Sequence, residues 1–231
     1  MLVISGASKG IGKAIVEKFA KEGHDVAFCA RNWDDLKNLK QHIEKNYNVN
    51  AYIQTGDMSV KEDVGTFVEF VKRIGKPIDV LVNNAGVFIP GAIHKEKDGV
   101  LEKLIETNLY SAYYLTKGLI DDMLQRKKGH IFNMSSIAGI TAYDNGGSYS
   151  ITKHALQGFS KCLREEMKPF GIKVTAILPG ATLTASWDGV NLPPERFIKP
   201  EDVAEIIFSC YQLSPSAVVE ELIIRPQLGD I

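Results

Sequence analysis

The chain has 231 residues, 45% of them hydrophobic and 24% charged, with a formal net charge of −1. That balance suits a soluble globular protein with a full core, and it gives no electrostatic case for a nucleic-acid or anionic-membrane partner. Cys29, Cys162, Cys210 and the five histidines form no zinc, redox or metal-ligand pattern, so no metal site and a reducing, cytoplasmic compartment are expected. The opening residues read as a strand running into a glycine turn, so no signal peptide is expected, and no apolar run approaches the length of a membrane span.

Short apolar runs alternate with amphipathic stretches along the chain. Strands are expected at 2–5, 25–30, 50–55, 79–83, 130–134, 173–178 and 221–225. Helices are expected at 11–22, 33–47, 61–74, roughly 100–125, 149–167 and 200–213. Continuous apolar strands such as DVLVN and KVTAIL suit a sheet covered on both faces. The βα alternation predicts an α/β fold: a doubly wound parallel sheet of about seven strands, in a single domain over residues 1–231. The basic run Arg126-Lys127-Lys128 reads as a helix end favoured by its dipole. Ligands of such sheets collect beyond the carboxyl ends of the strands, so the loops after the strands carry the chemistry.

The first of these loops is Ser5-Gly6-Ala7-Ser8-Lys9-Gly10-Ile11-Gly12. Glycines permit a tight turn and close approach, and a helix start can hold a pyrophosphate. A simple strand-to-helix turn would use the same residues. Gly12-Lys13 resembles the end of a P-loop, but Ala7 and Ala14 stand where glycine and Ser/Thr are required. The second strand ends in Ala30-Arg31-Asn32, where an NAD site would offer an acid for the ribose. Arg31, with Lys9, suits a 2′-phosphate and so favours NADP(H) over NAD(H), unless both are solvated surface cations.

Further along come Asn83-Asn84-Ala85-Gly86 after the fourth strand, Asn108 inside the long helix, and Ser135-Ser136 after the fifth strand. Then YSITK sets Tyr149 and Lys153 four residues apart, on one helix face. A nearby cation lowers a phenol's pKa, so the pair forms a possible proton donor; a wet helix face carries the same pattern.

Taken in order, these motifs resemble the compact branch of the short-chain dehydrogenase/reductase family, from the first strand to about Thr184. The set comprises S-G-x-x-x-G-x-G, Asp57, N-N-A-G, Asn108, the serine, Y-x-x-x-K and P-G-x-x-x-T. The resemblance implies a Rossmann fold and an NADP(H)-dependent interconversion of a carbonyl and an alcohol. It implies that Tyr149 is the general acid or base and that Lys153 lowers its pKa and binds the nicotinamide ribose. Ser136 would polarise the carbonyl, and Asn108 would fix a water linking Lys153 to solvent. Ser5, Gly6, Ser8, Lys9, Gly10, Ile11, Gly12 and Arg31 would belong to the cofactor site. Asp57 and Met58 would meet adenine, Asn84, Ala85 and Gly86 the adenosine ribose, and Pro179, Gly180 and Thr184 the nicotinamide. A homodimer or homotetramer is also implied.

The segment 180–199 occupies the place of the substrate loop, where Trp187 and Phe197 either cover an apolar substrate or anchor the loop. The family more often has Thr at the position of Ser5. The end, SAVVEELIIRPQLGDI, lacks the glycine pair usual in bacterial 3-oxoacyl-carrier-protein reductases, so small carbonyls, hydroxy acids or pterin-like compounds fit equally. A non-catalytic NAD(P)-binding sensor or scaffold is the other class, although such proteins tend to lose the tyrosine or the lysine. A hydrolase would need a Ser-His-Asp order or metal ligands, and these loops carry neither.

Overall fold

The computed structural model describes residues 1–187 and 189–231. Position 188, inside the expected substrate loop, lies outside the described residues. Seven strands form one sheet in the order β3-β2-β1-β4-β5-β6-β7, and every pairing is parallel. They are β1 (Leu2–Ser5), β2 (Val26–Ala30), β3 (Ala51–Thr55), β4 (Val80–Asn83), β5 (Gly129–Met134), β6 (Ile172–Pro179) and β7 (Glu221–Ile224). The helices are α1 (Gly10–Lys21), α2 (Trp33–Asn46), α3 (Lys61–Ile74), α4 (Val100–Ile105), α5 (Ser111–Arg126), α6 (Gly147–Met167) and α7 (Pro200–Gln212). This is a doubly wound, Rossmann-type sheet.

Two cores flank the sheet because strand side chains alternate between faces. Leu2, Ile4, Phe28 and Phe132 join Phe19, Leu36, Ile207 and Phe208, placing α1, α2 and α7 on one side. Val3, Cys29, Leu81 and Ile131 join Phe67, Leu115 and Leu163, placing α3, α5 and α6 on the other. Such strands are apolar at nearly every position, which is why they read as continuous runs rather than alternating ones. As the basic run suggested, α5 stops at Arg126, and Lys127 turns into the left-handed region at φ 50°.

The expected single helix over 100–125 is interrupted. Residues Glu106–Tyr110 form a π-helical turn between α4 and α5. Periodicity cannot reveal one extra residue in a helix, and such turns gather at functional positions. Asn108 lies within it.

Candidate active site

The carboxyl ends of the strands open onto a cleft of about 880 Å³. Of the sequence-selected residues, all but Ser5 and Asn108 line it. Those two stand behind the wall and hold it. The Ser5 Oγ accepts the N–H groups of Asn84 (3.2 Å) and Ala85 (3.1 Å), while the Asn84 amide donates to the Ser5 and Gly6 carbonyls. A threonine is therefore not needed to tie the glycine loop to the loop after β4.

The start of α1 has no side-chain cap, so its first N–H groups remain for an anion. At Gly12 a Cβ would stand 2.6 Å from the Asn84 Nδ2 and 2.9 Å from the Ala7 Cα, so only glycine lets the loop close here. Thr184 reaches across to this loop, its Cγ2 lying 3.0 Å from where a Gly10 Cβ would be. These features fit the pyrophosphate of a dinucleotide.

Beside them Arg31 is exposed, and Lys9 pairs with Asp35 at 3.1 Å. Asn32 caps α2 by accepting the Asp35 N–H at 2.9 Å. Burial pushes the Asp57 carboxyl up, but the Ser59 N–H and hydroxyl, with the charges of Arg31 and Lys103, hold it below the usual carboxylate range.

At the other end stand Ser136, Tyr149 and Lys153. Lys153 is 5% exposed, and its Nζ donates to the Met134 carbonyl at 2.8 Å, 5.6 Å from the Tyr149 ring centre. A Gly86 Cβ would lie 3.6 Å from this Nζ, an ordinary contact, and 3.3 Å from the Asn108 Oδ1, a tight one that the bare backbone avoids. Burial lowers the Lys153 pKa to about 8. Burial raises the Tyr149 phenol to about 12; a hydrogen bond with the Ser136 hydroxyl pulls it back, and Tyr143 adds to the rise. The expectation that Lys153 lowers the tyrosine's pKa is thus not the balance found here. Desolvation, invisible in a spacing motif, dominates both groups.

Asn108 accepts the Val87 N–H at 2.8 Å and donates to the Val87 carbonyl at 3.0 Å and the Thr152 hydroxyl at 3.1 Å. Both amide hydrogens are committed to protein partners. Ser135, the neighbour of Ser136, turns away to bond the Lys153 carbonyl at 3.3 Å. The Thr182 hydroxyl bonds the Gly180 carbonyl at 3.1 Å. The two aromatic residues of the expected loop divide their tasks: Trp187 lines the cleft, and Phe197 is buried beneath it at 5.3 Å between ring centres.

Several cleft residues carried no motif, among them Phe88, Lys103, Thr141, Tyr143, Arg225 and Asp230. The Arg225–Asp230 ion pair (3.0 Å) forms a wall where the chain leaves β7. The strand-end rule applied to β7 would have pointed to Arg225.

A parallel doubly wound sheet with a pyrophosphate-type loop and a Ser-Tyr-Lys cluster defines the class as dinucleotide-linked oxidoreductases. The family model for short chain dehydrogenase matches residues 1–194, and the chain belongs to that family. It is 30% identical to an uncharacterised oxidoreductase of Staphylococcus saprophyticus, over 97% of this chain and 96% of that one. An alcohol dehydrogenase of Thermococcus sibiricus, solved with 5-hydroxy-NADP, superposes with a TM-score of 0.91 at 26% identity, covering 98% of this chain and 96% of that one. L-sorbose reductase of Gluconobacter frateurii, solved with NADPH and L-sorbose, gives 0.88 at 29% identity, covering 97% and 95%. Among the described residues no helix is long and apolar enough to cross a membrane.

Proposed function

We propose that this chain is an NADP(H)-dependent reductase that interconverts a small-molecule carbonyl and its alcohol, with Tyr149 as general acid and base. The observation that carries the reading is the meeting of Ser136, Tyr149 and Lys153 in one cleft with an uncapped helix start and Arg31. NADP(H)-bound relatives of the same fold accord with the cofactor choice.

Gly6, Ser8, Lys9, Gly10, Ile11 and Gly12 of the glycine loop would hold the pyrophosphate, a reading supported by the uncapped start of α1. Arg31 with Lys9 would hold the 2′-phosphate, Asp57 and Met58 the adenine, Asn84 to Gly86 the adenosine ribose, and Pro179, Gly180 and Thr184 the nicotinamide. When bound, the cofactor supplies or accepts the hydride.

The chain's own residues handle the proton. Ser136 donates to the carbonyl oxygen and polarises it. A phenol near pKa 12 stays protonated at neutral pH, the state needed to protonate that oxygen during reduction. Lys153, near 8, titrates close to the working range and can return a proton to the cluster. Asn108 keeps Val87 and the Thr152 turn of α6 in register, so its side chain serves positioning. Any water that links Lys153 to solvent must find partners other than the two amide hydrogens of Asn108.

The test is NADPH oxidation against aldehydes, ketones, diketones and 3-oxoacyl thioesters. Tyr149→Phe should lower turnover by about 10²–10⁴-fold, the usual share of a positioned acid. NADPH affinity in a fluorescence titration should stay unchanged. Retained turnover removes Tyr149 from the acid's role; tight NADPH binding with no turnover across the panel counts against a reductase of these substrates.

A further inference from the structure

The loop between β4 and α4 is fastened to the first turn of α6, the helix that carries Tyr149 and Lys153. One oxygen of Glu96 accepts the Ser148 N–H at 3.0 Å, and the other accepts the Ser148 hydroxyl. Ser148 is buried and immediately precedes Tyr149. The cap position of α6 is Gly146, which has no side chain to offer, so the carboxylate comes from 50 residues upstream of the cap by way of the loop. Exposed N–H groups and the helix dipole favour an anion there, and the two Ser148 bonds hold the Glu96 carboxyl below its usual range.

The backbone around the carboxylate is shaped to it. A Cβ on Gly91 would stand 2.9 Å from the Glu96 Cγ. Gly147, at φ +33°, abuts the Glu96 Oε1 and the Gly91 carbonyl too closely for any side chain. The Gly91 N–H donates to the Asn145 carbonyl at 2.9 Å, a second strap between the same segments. From this loop Phe88 packs on Tyr149, edge to face, with 4.9 Å between ring centres.

We propose that Glu96 is a positioning residue for Tyr149: its carboxylate clasps the first turn of α6 and the Phe88 loop together, and so fixes the phenol against Ser136. The proposal rests on the reading of Tyr149 as the acid. Glu96 is not among the residues lining the cleft, so its loss should act on orientation and leave cofactor affinity alone.

The experiment compares Glu96→Ala, Glu96→Gln and Ser148→Ala in the full chain. It reads kcat, NADPH affinity by fluorescence, and amide hydrogen exchange in 88–96 and 147–150. For Glu96→Ala, kcat should fall about tenfold or more, because small misplacements of reacting groups are costly. NADPH affinity should hold within about twofold, and exchange should quicken in both segments. Glutamine still accepts the Ser148 N–H, so Glu96→Gln should restore most of kcat. If Glu96→Ala fails to fold, Ser148→Ala removes only the hydroxyl half and should show the same pattern more weakly. A kcat unchanged in Glu96→Ala overturns the proposal, as does a Glu96→Gln variant as slow as Glu96→Ala. Turnover retained in Tyr149→Phe overturns the acid assignment and the positioning role with it, whereas exchange unchanged in Glu96→Ala overturns the clasp alone.

Discussion

The two ends of the cleft are built on different plans. At the β1–β3 end each contributing group follows its strand by a residue or a few: the glycine loop after β1, Arg31 after β2, Asp57 and Met58 after β3. At the β4–β7 end, apart from Arg225 directly after β7, the wall is gathered from farther along the loops, with Phe88, Thr141, Tyr143, Trp187 and Asp230 meeting only in the folded chain. A phosphate demands backbone N–H groups and cations at set offsets from a strand, whereas a wall for an organic substrate needs shape, which many residues can supply. Fixed chemistry writes motifs; shape does not.

The sharpest way to break that contrast is Arg31→Asp. Loss of a charge-assisted contact, worth about 1.5–3 kcal/mol, should weaken NADPH by roughly 10–100-fold in a fluorescence titration. NADH affinity should change far less, and equal losses would mean that Arg31 does not read the 2′-phosphate. A smaller effect is expected from Trp187→Ala. Removing one aromatic wall should raise KM for the carbonyl by about fivefold, the scale of a partly buried ring contact, with NADPH affinity unchanged. Should NADPH weaken as much as the carbonyl, Trp187 would belong to the cofactor end, and the division drawn here would fail.

Legibility followed the same line. The strands were readable to within about a residue at most ends because they are apolar at nearly every position and bounded by turns. Tyr149 and Lys153, set on one helix face by their four-residue spacing, line the cleft together with Ser136. What the sequence hid was three-dimensional. The π turn at Asn108 adds one residue to a helix without disturbing its composition. The Phe197 ring was indistinguishable from Trp187 until one was seen buried and the other at the cleft. The sign of the Tyr149 shift depends on how much water the fold removes, which no spacing encodes.

The burial of Lys153 also makes the protein sensitive to pH in a particular direction. Its folded pKa of about 8 lies below the roughly 10.4 of an exposed lysine, so between these values the unfolded chain binds more protons. Stability therefore rises with pH across that window, and below about pH 8 the fold carries the full cost of a charge held out of water, on the order of 3 kcal/mol. Lys153→Met removes that cost and strands the Met134 carbonyl, a loss of about 1 kcal/mol. Urea denaturation at pH 7 should find the variant more stable by about 1–2 kcal/mol, with the advantage fading as the pH approaches 10.4. A variant less stable at pH 7 would show that the Lys153–Met134 bond outweighs the desolvation. On this reading the amine is a group that the fold would be firmer without, and a more stable chain lacking this buried cation lies a single substitution away.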